Sequence, residues 1–93
     1  MRTAIMKPAT KQSLAESGKL TVRDRVVRME SDDVVGYIAD CKEAHERWGT
    51  VSKMVGLYIA EATRRGLRYE APAYCTDEDI RAALVLHLAT LNN

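Results

Sequence analysis

Phenylalanine is absent from this chain of 93 residues, and the other large aromatics amount to one Trp and four Tyr. A single copy with so few rings builds only a thin core, and a domain this short tends to draw on a partner subunit, a metal or disulfides. Two cysteines, Cys41 and Cys75, are too few for a disulfide framework. No apolar run approaches the roughly 20 residues of a membrane-spanning helix. The first residues carry Lys7 and Lys11 without the hydrophobic stretch of a signal peptide, so a reducing cytoplasm is the expected compartment. Neither charge sign dominates: 14 Lys and Arg face 13 Asp and Glu, a net charge of +1, which excludes a polycation or an acidic tail as the basis of function. What remains is 46% apolar and 29% charged, the composition of one small globular domain.

Charge is unevenly spread along the chain. Residues 1–28 carry Arg2, Lys7, Lys11, Lys19, Arg23, Arg25 and Arg28 against Glu16 and Asp24. An acidic stretch follows, from Glu30 to Glu46, and basic residues return at Lys53, Arg64, Arg65 and Arg68. This alternation suggests one basic surface assembled from separate pieces. Residues 1–19 have little periodicity and read as a basic, mobile arm. Residues 20–70 form the main domain and 71–93 a helical extension.

Leu20 to Glu30 places β-branched residues in alternation with Arg, which predicts a short strand. Val27 and Met29 lie on one face and Asp24, Val26 and Arg28 on the other, while Val22 and Val26 share the opposite parity. Ser31 is a good N-cap with Asp32 and Asp33 in the first turn. From there Val34, Tyr37, Ile38, Cys41, His45 and Trp48 make an amphipathic stripe that Gly49 ends. Thr50 caps a second helix with Val51, Met54, Val55, Tyr58, Ile59 and Ala62 on its apolar face, closed by Arg64, Arg65 and Gly66. Beyond Pro72, Thr76 followed by Asp77, Glu78 and Asp79 starts a third helix lined by Ile80, Ala83, Leu84, His87, Leu88 and Leu91.

A lone strand needs a partner for its backbone groups, and the same strand of a second copy is the simplest one. Antiparallel pairing of the two gives a ribbon that fits the major groove of B-DNA. The strand Arg25-Val26-Val27-Arg28-Met29, the polar helix start at Ser31 and the turn Gly49-Thr50-Val51-Ser52 leading into Tyr58-Ile59-Ala60-Glu61-Ala62 carry a resemblance. Over about half its length the chain resembles the ribbon-helix-helix DNA-binding family of the Arc and MetJ type, which includes plasmid mobilisation accessory proteins. The resemblance implies a mainly α fold: an obligate homodimer with one strand and two helices per chain, here with an added C-terminal helix. It also implies base reading by the strand and a phosphate clamp at the start of the second helix. The usual Pro near the start of the first helix is missing, the stretch from Met29 to Thr50 is about one turn long for the family, and Asp24 is an acid among base readers.

On this reading Asp24, Val26 and Arg28 contact bases: Arg pairs with guanine, Val meets a thymine methyl and Asp accepts from cytosine. Thr50, Val51, Ser52 and Lys53 hold phosphate through free backbone N–H groups and a cation. Each has a plainer account: a charge-protected strand edge for the first set, helix capping for the second. Arg64, Arg65 and Arg68 suit a helix C-terminus without any ligand. Cys41 and His45, with Cys75 and His87, match no metal signature and fit core packing, so neither metal nor cofactor is expected. Nothing resembles a nucleophile elbow or a phosphate-cradling glycine loop, and no enzyme or small-molecule substrate is expected. The expected function is sequence-specific binding of double-stranded DNA, as a repressor or autoregulator or as a plasmid relaxosome accessory protein. Two alternatives compete. One is a helix-turn-helix over Ala44 to Ile59 with Val51 to Ala62 as recognition helix. The other is a small phage- or plasmid-encoded helical protein that binds and inhibits another protein, to which the near-zero charge, acidic first helix and apolar third helix are suited.

Overall fold

The computed structural model describes residues 21–92, and within them four helices follow one another: α1 (Val22–Arg28), α2 (Ser31–Trp48), α3 (Val55–Arg65) and α4 (Asp77–Leu91). The arm expected at residues 1–19 lies outside the described residues. No strand occurs among the described residues, which overturns the ribbon-helix-helix fold: the segment expected to be the ribbon is α1. The cause is local. The Thr21 side chain accepts from the Asp24 backbone N–H at 3.1 Å, and its hydroxyl donates to the Asp24 carboxylate at 2.8 Å. This closes a first turn before any cross-strand partner is needed. Val26, four residues after Val22, then turns into the core and is fully buried.

α2 begins at Ser31 itself, with Glu30 at the cap position, and ends at Gly49, whose φ of 70° is the left-handed conformation glycine adopts freely. Its buried face is Val34, Ile38 and Cys41. Trp48, expected on the same stripe, points outward and is 72% exposed, with the Arg47 guanidinium 6.0 Å from its ring.

α3 starts four residues later than a cap at Thr50 would place it, because residues 50–54 form an irregular turn around Ser52. The helix is central. It carries Val55, Ile59, Ala60, Glu61 and Ala62 buried, packs on α1, α2 and α4, and exposes only Arg64. The Tyr37 and Tyr58 rings stack at 3.8 Å between α2 and α3. Gly56 lies beside Ala83 and Glu61 bonds to His87, so α3 and α4 run parallel. Residues 67–76 make the return connection: Tyr69 bonds Thr63 at its start and Tyr74 reaches Ser52 at its far end. α4 opens on a capping box, in which Thr76 accepts from the Asp79 N–H and Asp79 accepts from the Thr76 N–H, as the sequence leads one to expect. No helix among the described residues is long and apolar enough to cross a membrane.

Candidate functional site

α4 has two unlike faces, one anchored in the fold by His87 and one open to solvent. The inner face is anchored by one buried ionic cluster. Glu61, fully buried on α3, uses both carboxylate oxygens twice. Oε1 accepts from Arg64 Nε at 2.8 Å and from His87 Nε2 at 2.7 Å. Oε2 accepts from Arg64 Nη2 at 2.6 Å and from Arg65 Nε at 2.5 Å. Burial alone would raise this carboxyl, but the hydrogen bonds from Arg64, His87 and Arg65 outweigh it and lower its pKa from the usual 4.5 to about 2.

Arg65 carries the cluster outward. Its Nη1 donates to Ser31 Oγ at 3.1 Å and its Nη2 to the carbonyls of Val26 (3.3 Å) and Val27 (3.0 Å), fastening the end of α1 and the start of α2 to α3. Fully buried His87 sits between Glu61 and Arg23 of α1, whose Nη1 lies 2.5 Å from His87 Nδ1. A guanidinium only donates, so Nδ1 accepts and the ring proton is on Nε2, donated to Glu61. α3 and α4 therefore meet on one carboxylate, and Arg65 and His87 tie α1 and α2 to it.

With His87 pinned inward, the outer face of α4 presents apolar side chains to solvent. Val85 is 63% exposed, Leu86 59% and Leu88 38%, and Ala82 and Ala89 are exposed beside them. Glu78, Arg81, Ala82, Val85, Leu86 and Ala89 line a shallow groove along this face. A second, larger depression of about 880 Å³ lies between α2 and residues 67–70, where Lys42 holds Glu46 at 2.8 Å and Glu70 at 3.5 Å and Glu43 holds Arg47 at 3.0 Å.

The residues expected to contact DNA do not form one site. Asp24 and Val26 are buried on α1, where neither reaches a base edge, and Arg28 is exposed at the end of the same helix. At the α2–α3 turn Thr50, Val51 and Lys53 are exposed but precede the helix. The Ser52 N–H is taken by the Tyr74 hydroxyl at 3.0 Å, and Ser52 Oγ by the Met54 N–H and the Tyr37 hydroxyl, each at 3.1 Å. Of the clamp expected there, Ser52 thus has its backbone N–H and its hydroxyl turned to the protein itself. α3, the recognition helix of the helix-turn-helix alternative, is covered by its neighbours and has no free face to enter a groove.

The cysteines and histidines are also dispersed. His45 Nδ1 donates to the Thr50 carbonyl at 3.3 Å and its ring meets Tyr74 edge-on, whereas His87 lies at the other end of α3. Among the described residues no group of three His, Cys, Asp or Glu is placed to hold a metal. Burial and the Asp79 carboxylate push the Cys75 thiol up, which disfavours its thiolate.

Sequence reasoning missed Glu61 and Arg23 as members of the cluster. A signal was present: Glu61 stands between Ala60 and the apolar-face residue Ala62, with Arg64 and Arg65 at three and four residues, the spacing of same-face ion pairs. In comparison with known proteins, no family model, no curated protein and no solved structure matches the chain.

Proposed function

We propose that this protein is a non-catalytic, helical interaction module that docks onto protein through the outer face of α4. The observation that carries the reading is the exposure of Val85, Leu86 and Leu88 together on one helix whose opposite face is already fixed by His87. Small proteins seldom leave adjacent large apolar side chains in water without a use for them, and such a patch rimmed by polar residues marks a contact surface. Glu78 and Arg81 supply that rim. The face carries a single cation, so it suits a protein surface better than an anionic lipid or a nucleic acid backbone. Of the functions weighed from sequence, protein binding is the one that needs neither a strand nor an accessible α3.

The test is a photo-reactive amino acid at position 85, with the same probe at exposed Ala39 on α2 as control. In cells that produce the protein, the probe at 85 should give a discrete covalent protein adduct and the probe at 39 none. Adducts at neither position, or equally at both, would end this reading.

A further inference from the structure

The exposed seam of α4 runs Glu78, Ala82, Val85, Ala89, Asn92, with spacings of four, three, four and three residues. This is the rhythm of a helix packed along another helix. Read in either direction the seam has the same character: polar, alanine, valine, alanine, polar. In an isologous contact residue i meets j and j meets i about a two-fold axis, so a seam with this reversal symmetry matches itself when turned end for end, with only its central residue facing its own image.

We propose that the occupant of this face is a second copy of the chain, its α4 lying antiparallel across the first with the two-fold axis at Val85. The inference rests on the reading of the outer face as a docking surface and names what docks there. Val85 then meets the partner's Val85. Ala82 meets the partner's Ala89, and two alanines let the helix axes approach to about 8 Å. Glu78 meets the partner's Asn92, whose side-chain amide donates to a carboxylate. Arg81 lies against the partner's last helical turn, where unpaired carbonyls favour a cation and α4 has no basic residue of its own. Leu86 and Leu88 flank the seam and lose their solvent contact.

Parallel pairing is disfavoured by charge. It would set the acidic first turns, each with Asp77, Glu78 and Asp79, side by side. The net charge of +1 per chain leaves no long-range repulsion to overcome. The pairing accounts for the thin core of a chain without Phe by burying apolar surface between copies, through a helix in place of the expected ribbon.

Sedimentation equilibrium from micromolar to millimolar concentration, on wild type and Val85→Lys, tests the proposal. Wild type should dimerise, and Val85→Lys, which sets two like charges on the axis, should weaken the dimer about 100-fold or more while leaving the circular dichroism unchanged. A second arm does not depend on the lysine variant folding. Under oxidised glutathione, Val85→Cys should form a covalent dimer on its own. Ala82→Cys should form one only when mixed with Ala89→Cys. Wild type, with Cys41 buried and Cys75 half-buried, should form none. A wild type that stays monomeric at millimolar concentration overturns the second copy as occupant, and a photo-adduct at position 85 with a different protein would then leave the docking face standing. A dimer that survives Val85→Lys, or a Val85→Cys protein that does not cross-link, overturns the seam.

Discussion

The two ends of α3 are held by opposite kinds of chemistry. At its C-terminal end Arg23, Arg64 and Arg65 converge on the buried Glu61 and His87 in a charged cluster that joins all four helices. At its N-terminal end the ties are neutral: the Tyr37–Tyr58 stack, and hydroxyl bonds from Tyr37 and Tyr74 to Ser52. A buried ion pair gains little over a well-packed apolar contact, yet loses much when one partner is removed. Neutral hydroxyl bonds are worth less and can be replaced by water. The charged end is therefore the brittle one. It is also the end that fixes the roll of α4 and so decides which side chains face outward.

The largest expected effect is at the centre of the cluster. Glu61→Ala leaves Arg64, the Arg65 Nε and the His87 Nε2 proton without an acceptor, and should cost about 3–5 kcal/mol in urea unfolding followed by circular dichroism. A loss below about 1 kcal/mol would mean that the cluster is incidental to the fold.

Acid is the second way to break the comparison. The Glu61 pKa is depressed from 4.5 to about 2 in the folded chain. Its stabilisation is complete above the unfolded value and is lost as pH falls from about 4.5 to about 2, about 3 kcal/mol in all. The charged end should open first in that window, seen as lost amide protection at the start of α2 and the end of α3. Protection around Tyr37 and Tyr58 should persist longer. Simultaneous loss at both ends would show that they are not separable.

Smaller effects sharpen the contrast. Tyr74→Phe removes one neutral donor–acceptor link to Ser52 and should cost about 0.5–1.5 kcal/mol by the same unfolding measurement. Least of all, Arg47→Ala on the exposed Glu43–Arg47 pair should leave the thermal midpoint unchanged within error.

How far the sequence was legible follows from the range of each signal. The ends of α4, the stop at Gly49 and the stop at Gly66 were readable because caps are made by residues within a turn of one another. α1 was misread as a strand although Thr21 and Asp24 stand at capping distance and Val22 and Val26 at one helical turn; in so short a segment Arg and Val alternate at both periods. The outward facing expected for Asp24 and Val26 changed with it, since helical geometry turns both inward. Trp48 and Thr50 were misplaced because the Ser52 turn depends on Tyr74, 22 residues away. The cluster around Glu61 is the extreme case: Arg23 and His87 are 64 residues apart in sequence, and no local pattern joins them. The outer face of α4 was visible only as an apolar helix with surplus on several sides, and which side stays uncovered was decided by that distant pairing.

The most direct test of this account is the tautomer of His87, read from long-range ¹H–¹⁵N correlations of the imidazole at neutral pH. A ring inserted between an Arg23 guanidinium and a Glu61 carboxylate must carry its proton on Nε2 and leave Nδ1 bare. That pattern, lost in Glu61→Ala, is the predicted result. A proton on Nδ1, or a ring that exchanges freely between tautomers, would contradict the buried cluster and with it the orientation of α4.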